Sequence, residues 1–518
     1  MRGGQERRGQ GFHDWLRWRS DVSPEALALK AGALEWSYRE LQKKVSALSA
    51  VLLSHGVERG GRVALLMSPS ERSVALVHAI ARVGAVAVPL NLRQSTPELL
   101  SQLRDSGPSL VVHDDALGAK VDDLEGRTAA GRWKHATDLM AESASGGEPV
   151  LGGRLDASSP HAIVYTSGSS GAPKGVVLTL SNLMWNAISI GLRTGASSVD
   201  RWLLCMPLFH VGGYTIIFRS VLHGSGIVLH QRFDPNLVSS SLDNDGVTLA
   251  SFVPTMLADV LEARGGRPLD PKVRLIFLGG GQPPAQLVAA IRKRRLPVLL
   301  TYGMTETCSL VAVSNVLESS AGPSYQAVLP SHVAVTKPGK GNGVELASPG
   351  EVGEVAVRGP TLFKGYWRKP ALTRARFKGE WFLTGDLGIF QDGASKRGRP
   401  AGGIVILGRR EETIITGGEK VFPAEVEAVL REHHSVKDAV VVGVDDPKWG
   451  QKVVAVVEAE TPGSRPSASE LNAFLRERVG RYKVPKEYRF WAALPRTSTG
   501  KTKRAEVRLL VERGEDPS

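Results

Sequence analysis

Cysteine is nearly absent: Cys205 and Cys308 are the only two in a chain of 518 residues. That excludes a disulfide scaffold and any cysteine-based zinc cluster, and lone thiols fit a reducing compartment. No uninterrupted apolar run reaches the roughly 20 residues that a membrane span needs. The most apolar stretch, residues 74–90, contains His78, Arg82 and Gly84 and meets Pro89, so it reads as a buried helix leading into a strand. The opening MRGGQERRGQGF carries charge but no apolar segment, so no secretory signal is expected and the expected location is cytoplasmic. Neither an H-E-x-x-H pattern nor an internal repeat of fixed period occurs.

What is present is an ordinary globular composition. Apolar residues make up 42% and charged residues 23% of the chain, which excludes a disordered tail, a collagen-like fibre and a coiled-coil rod. At roughly 100–200 residues per domain, the length predicts two to four structural units. Sixty-five basic against 52 acidic residues give a net charge of +13. The basic residues are spread out, with clusters at Arg2, Arg7 and Arg8, at residues 292–295 and at residues 396–399. No RNA-recognition pattern of interleaved aromatics accompanies them, so nucleic acid is not an expected partner. A solvated basic surface and an anionic small-molecule substrate both account for the charge.

Leu41, Val45, Leu48 and Leu52 are spaced 4, 3 and 4 apart, the stripe of an amphipathic helix. Residues 62–67 are a short apolar run between Gly-Gly and Ser-Pro, which predicts a buried strand. A helix over 71–82 and a strand over 85–89 follow. Similar runs at 109–113, 226–230, 273–278 and 297–300 predict an α/β fold with mostly parallel sheets. Residues 331–343 read as irregular, and residues 391–403 (QDGASKRGRPAGG) as an exposed loop. Beyond Leu407 the texture changes to a compact α+β unit of about 110 residues. Within it, helices are expected over 424–432 and 469–478, and strands over 439–444 and 453–458. The expected domains are therefore 1–408 and 409–518. His433 and His434 have no ligand spacing around them and read as solvated.

The densest chemistry lies at Thr166, Ser167, Gly168, Ser169, Ser170 and Gly171, with Lys174 just beyond. The segment, residues 165–175, joins apolar residues 162–164 to 176–178, so it reads as a loop between two strands. Glycines admit the backbone to a polyanion, hydroxyls add donors, and Lys174 adds positive charge, which together suit a triphosphate. A Walker A loop is excluded, because Lys174 is followed by Gly175 rather than Ser or Thr. The one G-K-T, at residues 500–502, has Pro495 where that motif needs glycine.

This loop resembles the signature of the adenylate-forming superfamily: acyl-CoA synthetases, peptide-synthetase adenylation domains and luciferases. Further signatures follow in order: PLFH at 207–210, YGMTET at 302–307, WFLTGD at 381–386, Gly408-Arg409, and PRTSTGK at 495–501. The resemblance implies a large N-terminal α/β region and a small mobile C-terminal lid. It also implies ATP, Mg²⁺ and coenzyme A. By resemblance Tyr302 stacks on adenine, Thr305 lies near the α-phosphate, and Glu306 holds Mg²⁺, a hard cation that takes oxygen ligands. Asp386 and Arg409 correspond to the ribose contacts, and Gly280 and Gly281 let the backbone close on the adenine or acyl group. Lys501 corresponds to the lysine that enters the site for adenylation, where a cation offsets charge on the phosphoryl oxygens. Glu411 falls at the hinge, where Asp or Lys is usual. Gly417 and Gly418 match the loop that lines the thiol tunnel. His210 either gates the acyl tunnel, contacts the substrate's ring, or packs at a strand end.

Within the superfamily, PLFHVGG at 207–213, FRSVLHG at 218–224, VLHQRF at 228–233, LGGG at 278–281 and YGMTETCS at 302–309 resemble the o-succinylbenzoate–CoA ligases of menaquinone biosynthesis. Leu310, where those ligases would carry Gln, departs from the pattern, as do residues 391–403 and 331–343. The implied reaction joins a carboxylic acid to ATP, giving acyl-AMP and diphosphate, and then to coenzyme A. Another aryl- or medium-chain acyl-CoA ligase is the alternative within the class. Outside it stands a nucleotide-binding scaffold that has lost catalysis, against which intact Lys174, Glu306, Asp386 and Lys501 argue. No membrane insertion is expected, and a homo-oligomer is compatible with the sequence.

Overall fold

The 4-3-4 leucine and valine stripe does what its spacing demands. Helix Tyr38–Ser54 buries Leu41, Val45, Leu48 and Leu52. It starts at a capping box, Glu40 N–H donating to Ser37 Oγ at 3.3 Å while Ser37 N–H donates to Glu40 Oε2 at 2.7 Å. Helix Glu71–Val83 ends at Gly84, whose φ of 77° reverses the chain into strand Val86–Pro89. A computed structural model describes residues 11–129, 131–144, 154–166, 173–316, 323–339, 343–391, 402–461, 465–497 and 502–516.

Three large sheets build the N-terminal unit, beside a two-stranded one that pairs Gly11–His13 with Arg154–Asp156. One has seven strands and one has nine, both with parallel centres. Helices Tyr38–Ser54, Glu71–Val83, Leu180–Thr194 and Val211–His223 share a single apolar core with residues of both, Val63 and Val164 from one, Leu29 and Trp202 from the other. The third sheet is six-stranded and antiparallel throughout, the exception to the parallel centres of the other two. It includes a further correction. Residues 331–343, expected to be irregular, contain strand His332–Pro338, paired with Val344–Leu346 and Val352–Arg358. The β-branched Val333, Val335 and Thr336 favour the pleat, and Pro338, which cannot donate, takes its last position. Residues 391 and 403 face each other in that sheet as Gln391↔Gly403, so the glycine-rich segment joins two paired strands; residues 392–401 lie outside the described residues.

The fifth sheet is made only of strands between Ile414 and Trp491. Its two longest strands, Val436–Asp446 and Gly450–Ala459, read as continuous valine runs because both faces are covered. Val441, Val453, Ala455 and Val457 pack with Leu471 and Leu475, whereas Val440, Val442, Val454 and Val456 pack with Trp491, Val507 and Val511. His433, expected to be solvated, is only 4% exposed. It turns back after helix Pro423–Leu430, meets Phe474 edge-on at 5.0 Å and lies 3.4 Å from Glu470. The helix that carries both, Ala468–Arg476, is foreseen by its pattern, but its packing against residue 433 is invisible to a local reading. His434 is exposed, as expected. No helix among the described residues is long and apolar enough to cross a membrane.

Candidate functional site

In open α/β sheets the groups that bind ligands gather where strands end and loops begin, at the carboxyl edge. The nine-stranded sheet sets parallel strands Arg201–Leu204, Leu275–Leu278 and Val298–Met304 with that edge in common. From it emerge His210, Gly280 with Gly281, and Tyr302. Gly280 has φ 83°, and a Cβ on Gly281 would meet nothing within 4 Å, so this loop leaves open space at its tip. His210 precedes helix Val211–His223, with its ring 4.4 Å from that of Phe209.

Residues 302–309 are folded by their own hydroxyls and by one asparagine. Gly303 tolerates no side chain, since a Cβ there would lie 2.0 Å from the Ser309 carbonyl oxygen. Thr305–Thr307 makes a single 3₁₀ turn. Thr307 Oγ1 accepts from Met304 N–H at 2.9 Å and donates to the Ser309 carbonyl at 2.6 Å. Cys308 and Ser309 then take φ of 53° and 89°. Asn186, from the packed helix Leu180–Thr194, donates to the Cys308 carbonyl at 2.7 Å. The buried Thr307 is spent on the turn, which leaves half-buried Thr305 and Glu306 to face a ligand.

Two clusters of side chains flank this turn. In the first, the Tyr302 hydroxyl donates to Asp386 Oδ2 at 2.7 Å, and Arg409 Nε lies 3.0 Å from Asp386 Oδ1. Asp386 and Arg409 are directly opposed across strands Trp381–Gln391 and Gly403–Arg409. Each carboxylate oxygen thus has a protein donor set against it. Burial, with Asp386 alongside, pushes the Tyr302 phenol well above its ordinary pKa, so it stays a donor. Burial pulls the Arg409 guanidinium down, but Asp386 and Tyr302 outweigh it and the net shift is upward.

In the second cluster, Tyr366 donates to Glu306 Oε1 at 2.9 Å. The Glu306 backbone carbonyl accepts from Phe363 N–H at 2.9 Å, so one segment holds the residue at both ends. Lys174 lies with Nζ 5.9 Å from the Tyr366 ring centroid. The expected loop ends earlier than the sequence implied. Strand Lys174–Thr179 begins at the lysine itself and pairs antiparallel with Pro160–Thr166, Lys174 opposite Thr166. Ser167, Gly168, Ser169, Ser170 and Gly171, and likewise Lys501, lie outside the described residues.

Gly417 and Gly418 stand elsewhere, in the turn between strands Ile414–Thr416 and Glu419–Val421, with φ 59° and 86°. Their neighbourhood contains a feature that motif reading missed. Trp449 is 37% exposed, with Lys486 Nζ 4.2 Å and Lys448 Nζ 5.2 Å from its ring. Gly417 N–H donates to the Trp449 carbonyl at 2.8 Å, and a Cβ on Gly417 would sit 3.1 Å from the indole.

Arg219 was also missed. It is 2% exposed on helix Val211–His223, with Nε donating to Asn186 Oδ1 at 2.9 Å and the guanidinium 5.5 Å from the Trp202 ring. Nη2 has no partner among the described residues, and no carboxylate pairs with it there. Burial pulls its pKa down to about 9. A cation in an otherwise apolar stretch, IIF before it and VL two positions after, was the available signal. Tyr366 had no signal of its own.

The donor set suits a magnesium ion that arrives with phosphates. Among the described residues no group of three or more His, Cys, Asp or Glu could hold a metal alone. Mg²⁺ commonly binds through one or two carboxylates plus phosphate and water, and Glu306 supplies one hard oxygen donor beside Lys174.

Known proteins are similar along the whole chain. The AMP-binding enzyme family matches residues 16–367, and its C-terminal domain matches residues 425–501. The 2-succinylbenzoate–CoA ligase of Geobacillus kaustophilus is 35% identical over 504 residues, 97% of this chain and 98% of that one. The o-succinylbenzoate CoA synthetase of Bacillus subtilis, in complex with the acyl-adenylate intermediate OSB-AMP, superposes with a TM-score of 0.87 at 33% identity, covering 96% of this chain and 98% of that one. The same enzyme with ATP and a magnesium ion also gives 0.87 at 33% identity, covering 96% and 99%. Carrying both matched regions in order, in the fold of those structures, the chain belongs to the AMP-binding enzyme family.

Proposed function

We propose that the protein is an ATP-dependent acid–CoA ligase that activates 2-succinylbenzoate, first as an acyl-adenylate and then as a coenzyme A thioester. One observation carries this reading: two carboxylates, Glu306 within the 3₁₀ turn and Asp386 against Tyr302 just before it, are each held by a tyrosine hydroxyl. Asp386 with Arg409 suits the ribose of ATP, and Tyr302 the adenine. Glu306 would hold Mg²⁺, with Lys174, Thr305 and the 166–171 loop on the phosphates. The metal supplies charge neutralisation for the phosphates when bound. The acid needs no general base, since a carboxylate is already ionised at neutral pH. Lys501 would offset the charge that builds as the carboxylate approaches the α-phosphorus.

Arg219 supports an acid with two carboxylates. A buried cation without a counter-ion is costly unless a ligand supplies one. 2-Succinylbenzoate carries a benzoate carboxylate in addition to the succinyl carboxylate that would be activated. His210, at the mouth of the same helix, would meet the ring. The named relatives, matched over nearly their full length, point to the same acid, which would place the step in menaquinone synthesis in the cytoplasm.

For the second step the small unit, taken as residues 409–518, would swing about Glu411. Arg410 Nη1 lies 2.9 Å from Glu354 and Arg376 Nη2 3.6 Å from Glu411, contacts that such a swing must break. Gly417 and Gly418 would then line the thiol's path, and Trp449 with Lys448 and Lys486 offers a ring and two cations to the adenine and phosphates of coenzyme A. The test is thioester formation across a panel of acids. Turnover of 2-succinylbenzoate well above that of mono-acids is expected. No diphosphate release with any acid, from folded and magnesium-replete protein, would overturn the proposal.

A further inference from the structure

Tyr366 is fixed more completely than a packing residue requires. Strand Gly365–Tyr366 pairs antiparallel with Lys174–Thr179, in the register Val176↔Tyr366. Tyr366 N–H donates to Thr373 Oγ1 at 2.9 Å, and the ring meets Phe363 edge-on at 4.9 Å. Two residues of the candidate site then converge on its side chain. The hydroxyl donates to Glu306 Oε1 at 2.9 Å, and the ring faces Lys174 Nζ at 5.9 Å.

We infer that Tyr366 is a positioning residue that sets the Glu306 carboxylate for the magnesium ion and, through its ring, ties that carboxylate to the phosphate-side Lys174. The inference rests on the nucleotide site proposed above. A glutamate side chain that ends in solvent samples many rotamers, and ordering it on binding costs free energy. With Oε1 held by a phenol and the backbone held by Phe363 N–H, that cost is met before the ligand arrives, and Oε2 is left to the cation. The phenol is suited to the task. A phenol is uncharged at neutral pH, so it donates to the carboxylate and does not compete with it as an anion. The lysine contact is a separate property of the same ring. Removing the hydroxyl should therefore affect the metal alone, and removing the ring should affect both.

The experiment is titration calorimetry of the full chain with ATP, in excess magnesium and in excess EDTA, on the wild type, Tyr366→Phe and Tyr366→Leu. Phe keeps the ring and its packing on Phe363, and a thermal melt confirms that each variant is folded. For Tyr366→Phe the expected result is roughly 10- to 100-fold weaker binding of ATP with magnesium and unchanged binding without it, the size of one charge-assisted hydrogen bond. For Tyr366→Leu both affinities should fall. In a Glu306→Gln background the added effect of Tyr366→Phe on the magnesium-dependent affinity should vanish. Equal weakening of Tyr366→Phe with and without magnesium, or none in either, would overturn the inference. A wild type that binds no ATP under any condition would instead remove the nucleotide site itself.

Discussion

The Tyr302 hydroxyl donates to the Asp386 carboxylate at 2.7 Å across 84 positions of sequence, joining the end of a parallel strand to an antiparallel hairpin. Arg409 meets the other oxygen of the same carboxylate at 3.0 Å. The acceptor proposed for ribose is thus aimed before any nucleotide arrives, and the strand that aims it is the last one before the hinge.

Removing the phenol or the carboxylate should separate these roles. Tyr302→Phe keeps the ring and loses one hydrogen bond to a charged acceptor, so the KM for ATP should rise about 10-fold with little change in kcat. Asp386→Ala also strands Arg409 without its partner and should lower kcat/KM for ATP by roughly 100-fold or more. Steady-state kinetics of diphosphate release read both. An Asp386→Ala enzyme with wild-type kcat/KM would rule out the ribose assignment.

Arg219 sets up a trade between stability and function. Arg219→Met removes a buried cation that has no counter-ion among the described residues, so the melting temperature should stay level or rise. The KM for 2-succinylbenzoate should increase on the order of 100-fold, the 2–3 kcal/mol of a buried charge-assisted contact. An analogue without the benzoate carboxylate should be used equally by both enzymes. If the variant lost activity toward both acids alike, Arg219 would be structural only.

Trp449 should matter to one half-reaction alone. Trp449→Ala takes away the exposed ring beneath Lys486 and beside Gly417, which should raise the KM for coenzyme A about 10-fold. Acyl-adenylate formation, followed without coenzyme A, should be unchanged. A matching drop in that first step would point to misfolding of the glycine turn.

Acid sensitivity should trace to two buried imidazoles. His161 is 1% exposed, its Nε2 2.8 Å from the Tyr214 hydroxyl, and burial next to His78 pulls its pKa from 6.5 to about 3. Burial likewise takes His78 from 6.5 to about 4. Below pH 6.5 the unfolded chain binds protons that the native protein refuses, so stability is complete above about pH 7 and declines as the pH falls toward 4. At pH 5 the His161 contribution is a loss of about 2 kcal/mol. Melting temperatures between pH 7.5 and 5 should therefore drop less steeply for His161→Asn, even though it starts lower. Parallel slopes would exclude His161 as a source.

The sequence was most legible where chemistry and local pattern coincide. Strand–helix alternation foretold the parallel sheets, and apolar runs on either side of the glycine-rich segment foretold the two strands it joins. The motif order located Tyr302, Glu306, Asp386 and Arg409. It was least legible where a residue's role depends on a neighbour far along the chain. His433 read as solvated because the helix that covers it lies about forty residues on. The strand within 331–343 read as irregular because its partners make it a strand. Tyr366 carried no signal because its meaning is Glu306, 60 positions away.

The chain alone determined which reactive groups exist and in what order, since covalent order and local periodicity are written residue by residue. Folding decided which carboxylate oxygen each tyrosine holds, that Arg219 is buried with no counter-ion among the described residues, and that Lys174 opens a strand rather than closing a loop. Those are matters of distance and solvent exclusion, and they exist only once separate sheets have packed against one another.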